Sequence, residues 1–341
     1  MRVMLVGLGP IGLAVAARAR REPGLAVVGA VDAAPRLAGR DLGELLGQGP
    51  LGLQVATDLA IALDEARPDL VLHATGSFLQ EVAPQLVPIL GRGVDVVSTC
   101  EELVYPFYRH PELARELDEV ARRGGAVLLG SGVNPGFVMD KFVVTLMAAC
   151  ETVRHVRVTR SLDAATRRAS FQKKIGAGLN RAEFEHRSAA GRMGHVGLAE
   201  SAHMLADAMG ADSRRQLERE LCPVLADRRV STDHVVVEPG QVAGVRERLV
   251  LRAGETERVR MELEMFVGAP RPHDAVVIEG SPRLEVEIGS GLAGDEGTVA
   301  VVLSCARLLH RLQPGLRTML EVPLVPPTAP RGAARLSAAS E

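Results

Sequence analysis

The sequence predicts an α/β fold in two parts: a doubly wound parallel sheet, followed by an α+β domain whose sheet is mainly antiparallel. In the first part, short apolar runs alternate with amphipathic stretches long enough for helices, which is the pattern of βαβ units. In the second part the runs lengthen and alternate polar with apolar residues, as strands with one wet face do. The segment between them, SGVNPGFVMDKFVVTLMAACE, has the pattern of a linking helix.

The elements follow in order along the chain. The strands of the first part are RVMLVG, LAVVGAVD, DLVLHATG, VDVVSTC and GAVLLGSG, with a helix after the first that ends near Arg21. The strands of the second part are VRHVRVTRS, DHVVVEPG, VAGVRERLVLRAG, ERVRMELEMFVGA, DAVVIEG and RLEVEIG, joined by Gly and Pro turns. Two helices are expected among them, around residues 181–187 and 196–209.

Changes in this pattern predict the domain boundaries. Residues 1–133 form the first domain, and residues 134–296 form the second domain. Residues 297–326 contain a final apolar helix, GTVAVVLSCARLLHRL, which we expect to pack back on the first domain. Residues 327–341 are rich in Ala, Pro and Ser, so a disordered tail is expected there.

Composition narrows the class of partner. A chain of 341 residues with 47% hydrophobic residues can bury sizeable cores. The net charge is -2 and no long run of one sign occurs, which argues against a nucleic-acid or membrane surface and for a small-molecule partner. Four widely spaced cysteines without a C-x-x-C pair favour the reducing cytoplasm and no metal site. Glycines interrupt the apolar N-terminus and no cleavage site follows, so this segment is expected to belong to the fold.

The segment GLGPIG predicts a dinucleotide site of the Rossmann type. Gly7, Gly9 and Gly12 have G-x-G-x-x-G spacing directly after a strand and at the start of a helix. The first glycine permits a tight turn, the second lets a pyrophosphate approach the backbone, and the third lets helix and strand pack closely. Pro10 suits the first helical turn, and Pro10 and Ile11 are both expected to contact the cofactor.

The form of the dinucleotide, NAD or NADP, stays open. Asp32 closes the second strand at the spacing of a ribose-binding acid and favours a free 2′-hydroxyl. Arg36 and Arg40 lie close enough to receive a 2′-phosphate, although a solvated loop explains them equally well.

Polar residues also follow the other strands of the first part. Ligands of open α/β sheets bind outside the carboxyl ends of the strands. The segments HATGS, STCEE and GSGVNPG lie at such ends, so the cofactor crevice is expected to include Thr75, Gly76, Ser98, Thr99 and Asn134.

Two adjacent glutamates, Glu101 and Glu102, follow the strand VDVVSTC. The apolar LVYPF that follows would lower the local dielectric, which strengthens the attraction of a carboxylate for a cation. Iminium ions and protonated amines and ammonia are such cations, and hydride transfer to an iminium carbon is a natural nicotinamide reaction. Adjacent strand-end residues point to opposite sides, so only one of the two is expected to face the nicotinamide.

Seven segments together resemble the 2,4-diaminopentanoate dehydrogenase family, which includes amine dehydrogenases and is related to dihydrodipicolinate reductases. They are GLGPIG, GRDLGEL, STCEELVYP, GSGVNPGFVMDK, DAATRRASFQKKIGAG, GHVGLAES and QPGLRTMLEVP, and the resemblance runs to about Pro323. It implies an NAD(P)-dependent enzyme, a homodimer, that interconverts a small ketone or aldehyde plus ammonia with a primary amine. It also implies that a glutamate at the position of Glu101 is the catalytic carboxylate. The alternation of side chains then leaves Glu102 in the polar rim of the substrate site.

The resemblance further nominates residues that bind the substrate: Asn134, Phe137, Arg160, Gln172 and His195. Arg160 ends the run VRVTR and could hold a substrate carboxylate, or form an ordinary strand-end salt bridge. His195 could equally be a helix cap or a satisfied core residue, and Phe137 a core residue. Lys173 and Lys174 match family positions, although a surface lysine pair is usually only solvated.

One departure from the family bears on the substrate. Ala293 stands where a histidine is expected in 2,4-diaminopentanoate dehydrogenases, which favours simpler, less polar amines over a diamino acid. The H-H motif and the K-x-D-x-P-S-G-T-like segment of the reductases are missing, so dihydrodipicolinate reduction is not expected. The alternatives are a 2,4-diaminopentanoate dehydrogenase proper and an NAD(P)-binding sensor without turnover, for which Glu101 would have no use.

Overall fold

The computed structural model describes residues 1–191, 193–211 and 215–326. The strands are β1 (Arg2–Val6), β2 (Ala26–Val31), β3 (Val55–Ala56), β4 (Leu70–His73), β5 (Asp95–Ser98), β6 (Val127–Gly130), β7 (Thr152–Asp163), β8 (Arg215–Leu225), β9 (Val230–Ser231), β10 (Val236–Val237), β11 (Val242–Ala253), β12 (Thr256–Phe266), β13 (His273–Ser281), β14 (Leu284–Gly289) and β15 (Gly315–Arg317). The α-helices are α1 (Pro10–Ala19), α2 (Leu42–Leu45), α3 (Leu59–Ala66), α4 (Leu79–Leu90), α5 (Pro111–Gly124), α6 (Lys141–Met147), α7 (Ala169–Lys174), α8 (Arg181–Ala189), α9 (Leu198–Ala208) and α10 (Gly294–Leu308). The predicted tail, 327–341, lies outside the described residues.

A parallel sheet of seven strands organises the N-terminal part, with the order β15-β6-β5-β4-β1-β2-β3. Every pair in it is parallel. Strands β4 and β6 are buried along their whole length, because helices cover both faces of the sheet, and this explains their continuous apolar runs. The predicted doubly wound, Rossmann-like sheet is therefore confirmed.

The second sheet has six strands in the order β14-β13-β7-β12-β11-β8. Only β7 and β12 run parallel, and the other four pairs are antiparallel, so the prediction of a mainly antiparallel sheet is confirmed. Helix α9 covers one face, where Ala202 and Leu205 join the same core as Val158, Leu249 and Leu263 of the sheet. The strands alternate because their other side chains point away from this core.

Three local features differ from the prediction. The segment DHVVVEPG contributes only the short strand β10, which pairs with β9 in a separate two-stranded ladder. Strand β8 was not predicted, because RQLERELCPVL is rich in charges and lies at the edge of the sheet. The linking helix starts only at Lys141, because Pro135 has no N–H to donate and Gly136 has a φ of 123°.

The chain returns to the parallel sheet after the second sheet is complete. Helix α10 shares a core with α1, in which Val302 and Ala306 meet Val15 and Ala19, and β15 pairs with β6. Strand β15 was not predicted. The return is the arrangement expected for residues 297–326, while the domain boundaries themselves stay a prediction. No helix among the described residues is both long and apolar enough to cross a membrane.

Candidate active site

A cavity of about 440 Å³ lies where the carboxyl ends of β1, β4, β5 and β6 face the second sheet. Its polar lining on the second-sheet side includes Arg160, Arg167, Arg168, Lys174, His195 and Asp295. Its apolar lining includes Val133, Leu162, Phe171, Ile175 and Met265. The cavity is therefore a crevice at the position where open α/β sheets bind their ligands.

The glycine motif forms a tight turn at the mouth of this cavity. Gly7 has a φ of +90°, and a Cβ at Gly12 would lie 1.9 Å from the Gly7 carbonyl oxygen, so neither position accepts a side chain. Beside Gly9, no atom lies within 4 Å of where a Cβ would be. Gly9, Pro10 and Ile11 line the cavity, and helix α1 begins at Pro10 with its N-terminus toward it. The turn thus fits a dinucleotide, whose pyrophosphate would meet the open backbone and the positive end of α1.

Asp32 ties this turn to the end of β2. Its Oδ2 accepts a hydrogen bond of 2.6 Å from Leu8 N, and its Oδ1 accepts one of 2.8 Å from Ala34 N. Arg36 and Arg40 are exposed nearby, and neither guanidinium has a partner among the described residues. The two arginines are therefore available to an anionic ligand.

Four of the other residues expected at the cofactor crevice line the cavity: Thr75, Gly76, Thr99 and Asn134. Ser98 does not line it, which corrects the prediction. Its side chain is fully buried, its Oγ lies 2.8 Å from Nδ1 of His73, and it accepts a hydrogen bond from Cys100 N. Because side chains alternate along a strand, Ser98 points into the sheet layer while its neighbour Thr99 reaches the crevice.

Glu101 lies in the cavity, with its side chain 20% exposed. Its Oε2 makes no hydrogen bond with the described residues, and Lys174 Nζ lies 3.8 Å from it. Burial raises the pKa of Glu101, while Lys174, a hydrogen bond from Ser77 and the charge of Arg168 oppose that rise. A carboxylate with a raised pKa suits proton transfer near neutral pH.

Glu102 has a different environment, and the expectation that it lies in the rim of the substrate site is corrected. It is 5% exposed and does not line the cavity. Its Oε2 accepts a hydrogen bond of 2.8 Å from Leu79 N, in the first turn of α4, and lies 2.8 Å from His110 Nε2. Its Oε1 lies 3.4 Å from Arg109 Nε. Glu102 therefore stabilises the loop that carries Glu101.

Asn134 and His195 meet on the wall of the cavity. The Asn134 amide nitrogen donates to His195 Nε2 over 3.4 Å, and His195 N donates to Glu247 Oε2 over 2.8 Å. Asn134 Oδ1 and His195 Nδ1 are buried without partners among the described residues. Burial, together with the charges of Lys174 and Arg160 and against that of Glu247, lowers the pKa of His195 to about 4. The imidazole is therefore neutral at neutral pH, and its proton lies on Nδ1 because Nε2 accepts a hydrogen bond.

Arg160 lines the cavity but is committed to another partner. It is 1% exposed, its Nη1 donates to both carboxylate oxygens of Asp274 at 2.9 and 3.0 Å, and its Nη2 donates to Leu292 O at 2.6 Å. Of the two interpretations of Arg160, the salt bridge is the one present. This buried pair fixes the end of β7 to β13 and to the segment before α10.

Gln172 and Phe137 do not line the cavity, so their substrate-binding roles are corrected. Gln172 is 2% exposed, and its Nε2 donates to three carbonyls of the 164–167 loop while its Oε1 accepts from Thr232 Oγ1. Phe137 packs at the junction of the two cores, 6.0 Å from the ring of Phe142. Both side chains therefore support the walls of the cavity without facing it.

Several lining residues were not predicted. Phe171 supplies the aromatic wall expected from Phe137, and the Arg167 guanidinium lies 4.9 Å from its ring centre. Arg167 and Arg168 both bind Oδ1 of Asp295, at 2.8 and 2.9 Å. Most of these residues come from the segment DAATRRASFQKKIGAG, whose only helix, α7, has six residues and gives no periodic signal. Among the described residues, no three His, Cys, Asp or Glu side chains converge on a metal position.

Comparisons with known proteins agree with this architecture. A family model described as the 2,4-diaminopentanoate dehydrogenase C-terminal domain matches residues 137–338, and one described as dihydrodipicolinate reductase, N-terminus, matches residues 1–94. The chain is 27% identical to a 2,4-diaminopentanoate dehydrogenase from Acetoanaerobium sticklandii, over 95% of this chain and 94% of that one. It is 25% identical to an amine dehydrogenase from Streptomyces virginiae, over 94% of this chain and 95% of that one. The solved structure of an amine dehydrogenase from Mycobacterium smegmatis superposes with a TM-score of 0.83 at 26% identity, over 95% of this chain and 96% of that one.

Proposed function

The chain belongs to the 2,4-diaminopentanoate dehydrogenase family, and from this premise we propose that it catalyses the reductive amination of small ketones or aldehydes with ammonia, and the reverse oxidative deamination. It is an NAD(P)-dependent oxidoreductase that acts on CH–NH₂ donors.

The observation that carries the proposal is the position of Glu101. Its carboxylate lies in the cavity that also contains the dinucleotide turn, and one of its oxygens has no hydrogen-bond partner among the described residues. When bound, the nicotinamide supplies or accepts the hydride. Glu101 provides the other requirement of amine chemistry, a base that receives the ammonium proton beside the reacting carbon.

Proton transfers by Glu101 account for both directions. Toward the amine, the Glu101 carboxylate takes a proton from an ammonium ion, and the ammonia so formed adds to the carbonyl carbon. A nitrogen proton moves to the former carbonyl oxygen to give the carbinolamine, and Glu101 then returns its proton to the hydroxyl group, which leaves as water. The resulting iminium ion is a cation, which a fixed carboxylate in a partly dry cavity stabilises. In oxidation the same carboxylate removes the proton from the alkylammonium ion, so that the nitrogen lone pair is free when hydride departs.

We assign binding of the carbonyl oxygen to His195 and binding of the substrate nitrogen to Asn134. The neutral imidazole presents an Nδ1–H without a partner among the described residues, which can donate to an oxygen. Asn134 Oδ1 is an acceptor that also has no partner among the described residues, and it can accept a hydrogen bond from a substrate N–H. A ligand with one acceptor and several N–H donors, such as a carbinolamine, would satisfy these groups together with Glu101.

A second candidate is 2,4-diaminopentanoate dehydrogenase activity itself, and one observation favours it. Three cations of the cavity lining, Arg167, Arg168 and Lys174, face two carboxylates, Glu101 and Asp295. The surplus positive charge would attract a substrate carboxylate. Against it, the apolar wall that includes Phe171 and the alanine in place of the expected histidine suit a less polar substrate.

We also propose a homodimer located in the cytoplasm. The four cysteines are free, as expected for a reducing compartment. The mass of the purified protein, measured by light scattering after size-exclusion chromatography, tests the dimer.

The function is tested by incubating the purified protein with ammonia, NADH or NADPH, and a panel of carbonyls that pairs each simple ketone with its carboxylated analogue. Ammonia-dependent oxidation of the cofactor, with the amine identified by mass spectrometry, is the expected result. A preference for the carboxylated partners would favour the second candidate. Tight cofactor binding without turnover of any carbonyl or amine would contradict both candidates and support a sensor.

A further inference from the structure

We propose that Lys174 is a positioning residue for Glu101, whose ammonium group keeps the Glu101 carboxylate ionised and in place before the substrate arrives. The proposal rests on the function proposed above, in which Glu101 is the proton acceptor. It assigns a role to a lysine that would otherwise be a solvated side chain.

The contact between the two residues spans the cavity. Glu101 follows β5 of the parallel sheet, whereas Lys174 is the last residue of α7, on the side of the second sheet. Lys174 Nζ lies 3.8 Å from Glu101 Oε2, and no other carboxylate of the described residues lies within 4.0 Å of this ammonium group. The lysine therefore has Glu101 as its counter-ion.

The backbone that carries Lys174 is firmly held, although the side chain is 42% exposed. Gln172, two residues earlier, is fixed by hydrogen bonds to the 164–167 loop and by Thr232, and the next residue, Ile175, is 1% exposed. A cation at the C-terminal end of a helix is also favoured by the partial negative charge there. The ammonium group therefore reaches the cavity from a backbone that is fixed in position.

Lys174 is the main influence that keeps Glu101 ionised. The groups that act on the Glu101 carboxyl are Lys174 and Arg168 from the second-sheet side, Ser77 from the loop after β4, and the neighbouring Glu102. Burial raises the pKa of Glu101, and Lys174 is the largest of the influences that lower it. Arg168, whose Nη1 lies 2.9 Å from Asp295 Oδ1, contributes less.

The distance between the two groups leaves Glu101 free to react. At 3.8 Å the ammonium group attracts the carboxylate but is too far away for a hydrogen bond. Oε2 therefore has no hydrogen-bond partner among the described residues. The acceptor capacity of Oε2 is thus preserved for a substrate nitrogen. A hydrogen-bonded lysine would compete with the substrate for the same oxygen.

The experiment compares Lys174→Met, which removes the charge and keeps the apolar stem, with Lys174→Arg, which keeps the charge. Lys173→Met is the matched control, because Lys173 is exposed on the same helix and does not line the cavity. Two measurements are made: the pH dependence of kcat/KM, and an infrared titration of the Glu101 carboxyl band without substrate, assigned by its disappearance in Glu101→Gln. NADPH binding by fluorescence shows that each variant is folded.

Lys174→Met should shift both the acid limb of kcat/KM and the infrared titration upward by about one pH unit, a roughly tenfold change in proton affinity. Lys174→Arg should restore most of the shift, and Lys173→Met should show none. Unchanged titrations in Lys174→Met, or an equal loss of rate at every pH, would overturn the proposal. The infrared titration needs no turnover, so a protein without amine dehydrogenase activity would contradict the proposed function while leaving this test readable.

Discussion

Glu101 and Glu102 are adjacent in the chain, yet their carboxylates lie in different environments and meet different partners. Glu101 lines the cavity beside Lys174, whereas Glu102 accepts a hydrogen bond from the first turn of α4 and lies 2.8 Å from His110. The separation arises because the chain enters a short 3₁₀ turn, Glu102–Val104, directly after Glu101. In the proposed function, Glu101 serves the chemistry while Glu102 holds the loop in place.

Exchange of each glutamate for glutamine should separate these roles. Glu101→Gln keeps the shape of the side chain but removes the base, so kcat should fall about 100-fold or more, with NAD(P)H binding retained. Glu102→Gln should mainly lower the melting temperature, because it weakens the pairing of a buried carboxylate with Arg109 and His110. Steady-state rates, cofactor fluorescence and thermal unfolding are measured for both variants. Near-normal turnover of Glu101→Gln would refute the mechanism.

Substrate size should depend on Phe171 and not on Phe137. Phe171→Ala enlarges the cavity that Phe171 lines, so bulkier ketones should be accepted while small ones bind more weakly. Phe137→Ala instead leaves a hole where the two cores meet, and should cost about 3 kcal/mol of folding stability without a change in substrate ranking. The test ranks kcat/KM over ketones of increasing size, alongside urea unfolding. A changed ranking in Phe137→Ala alone would reverse the assignment.

Cofactor preference should depend on the charges after β2. Arg36→Ala and Arg40→Ala should each weaken NADPH binding about tenfold, the loss of one charge-assisted hydrogen bond, and spare NADH. Asp32→Ala should weaken NADH more than NADPH, because it removes the partner of the 2′-hydroxyl and the repulsion of a 2′-phosphate. Fluorescence titrations with both cofactors measure this, with Arg115→Ala on the exposed face of α5 as the control. An equal loss of both affinities in each variant would contradict the assignment.

The glycine turn and the strand ends could be predicted because they follow from short-range rules. A tight turn between strand and helix requires Gly7 and Gly12 whatever surrounds them, and the carboxyl ends of parallel strands meet at one edge, which brings Thr75, Thr99 and Asn134 together. These rules do not say which way a side chain turns. That is why Ser98 was expected at the crevice, although its side chain turns into the sheet layer while that of its neighbour Thr99 lines the cavity.

The second half of the site depends on packing that no local pattern encodes. Gln172 and Phe137 are polar and aromatic residues near the site, but their side chains are used to brace a loop and to join two cores. Lys174 and Phe171 reach the cavity from a helix of six residues, too short for a period to be read. The partner of Arg160, Asp274, is 114 residues away and becomes adjacent only when β13 pairs with β7.

Acid should destabilise the protein through its buried histidines, and His73 offers the clearest test. Burial lowers the pKa of His73 from 6.5 to about 4, so the unfolded chain binds a proton between these values that the folded chain does not. Its contribution to stability is complete above pH 6.5 and is lost as the pH falls toward 4, by about 1.4 kcal/mol per pH unit. Carboxyls with raised pKa values, such as Asp140, have the opposite effect on the pH dependence of stability, so the comparison is made between variants and not on the wild type alone.

The test is urea unfolding of His73→Gln and of the wild type between pH 7 and 4. His73→Gln should lose stability less steeply than the wild type, by about one proton, whatever the cost of the substitution at pH 7. The exposed His234→Gln serves as the control and should keep the wild-type slope. An unchanged slope in His73→Gln would show that His73 takes up its proton equally in both states, contrary to its burial.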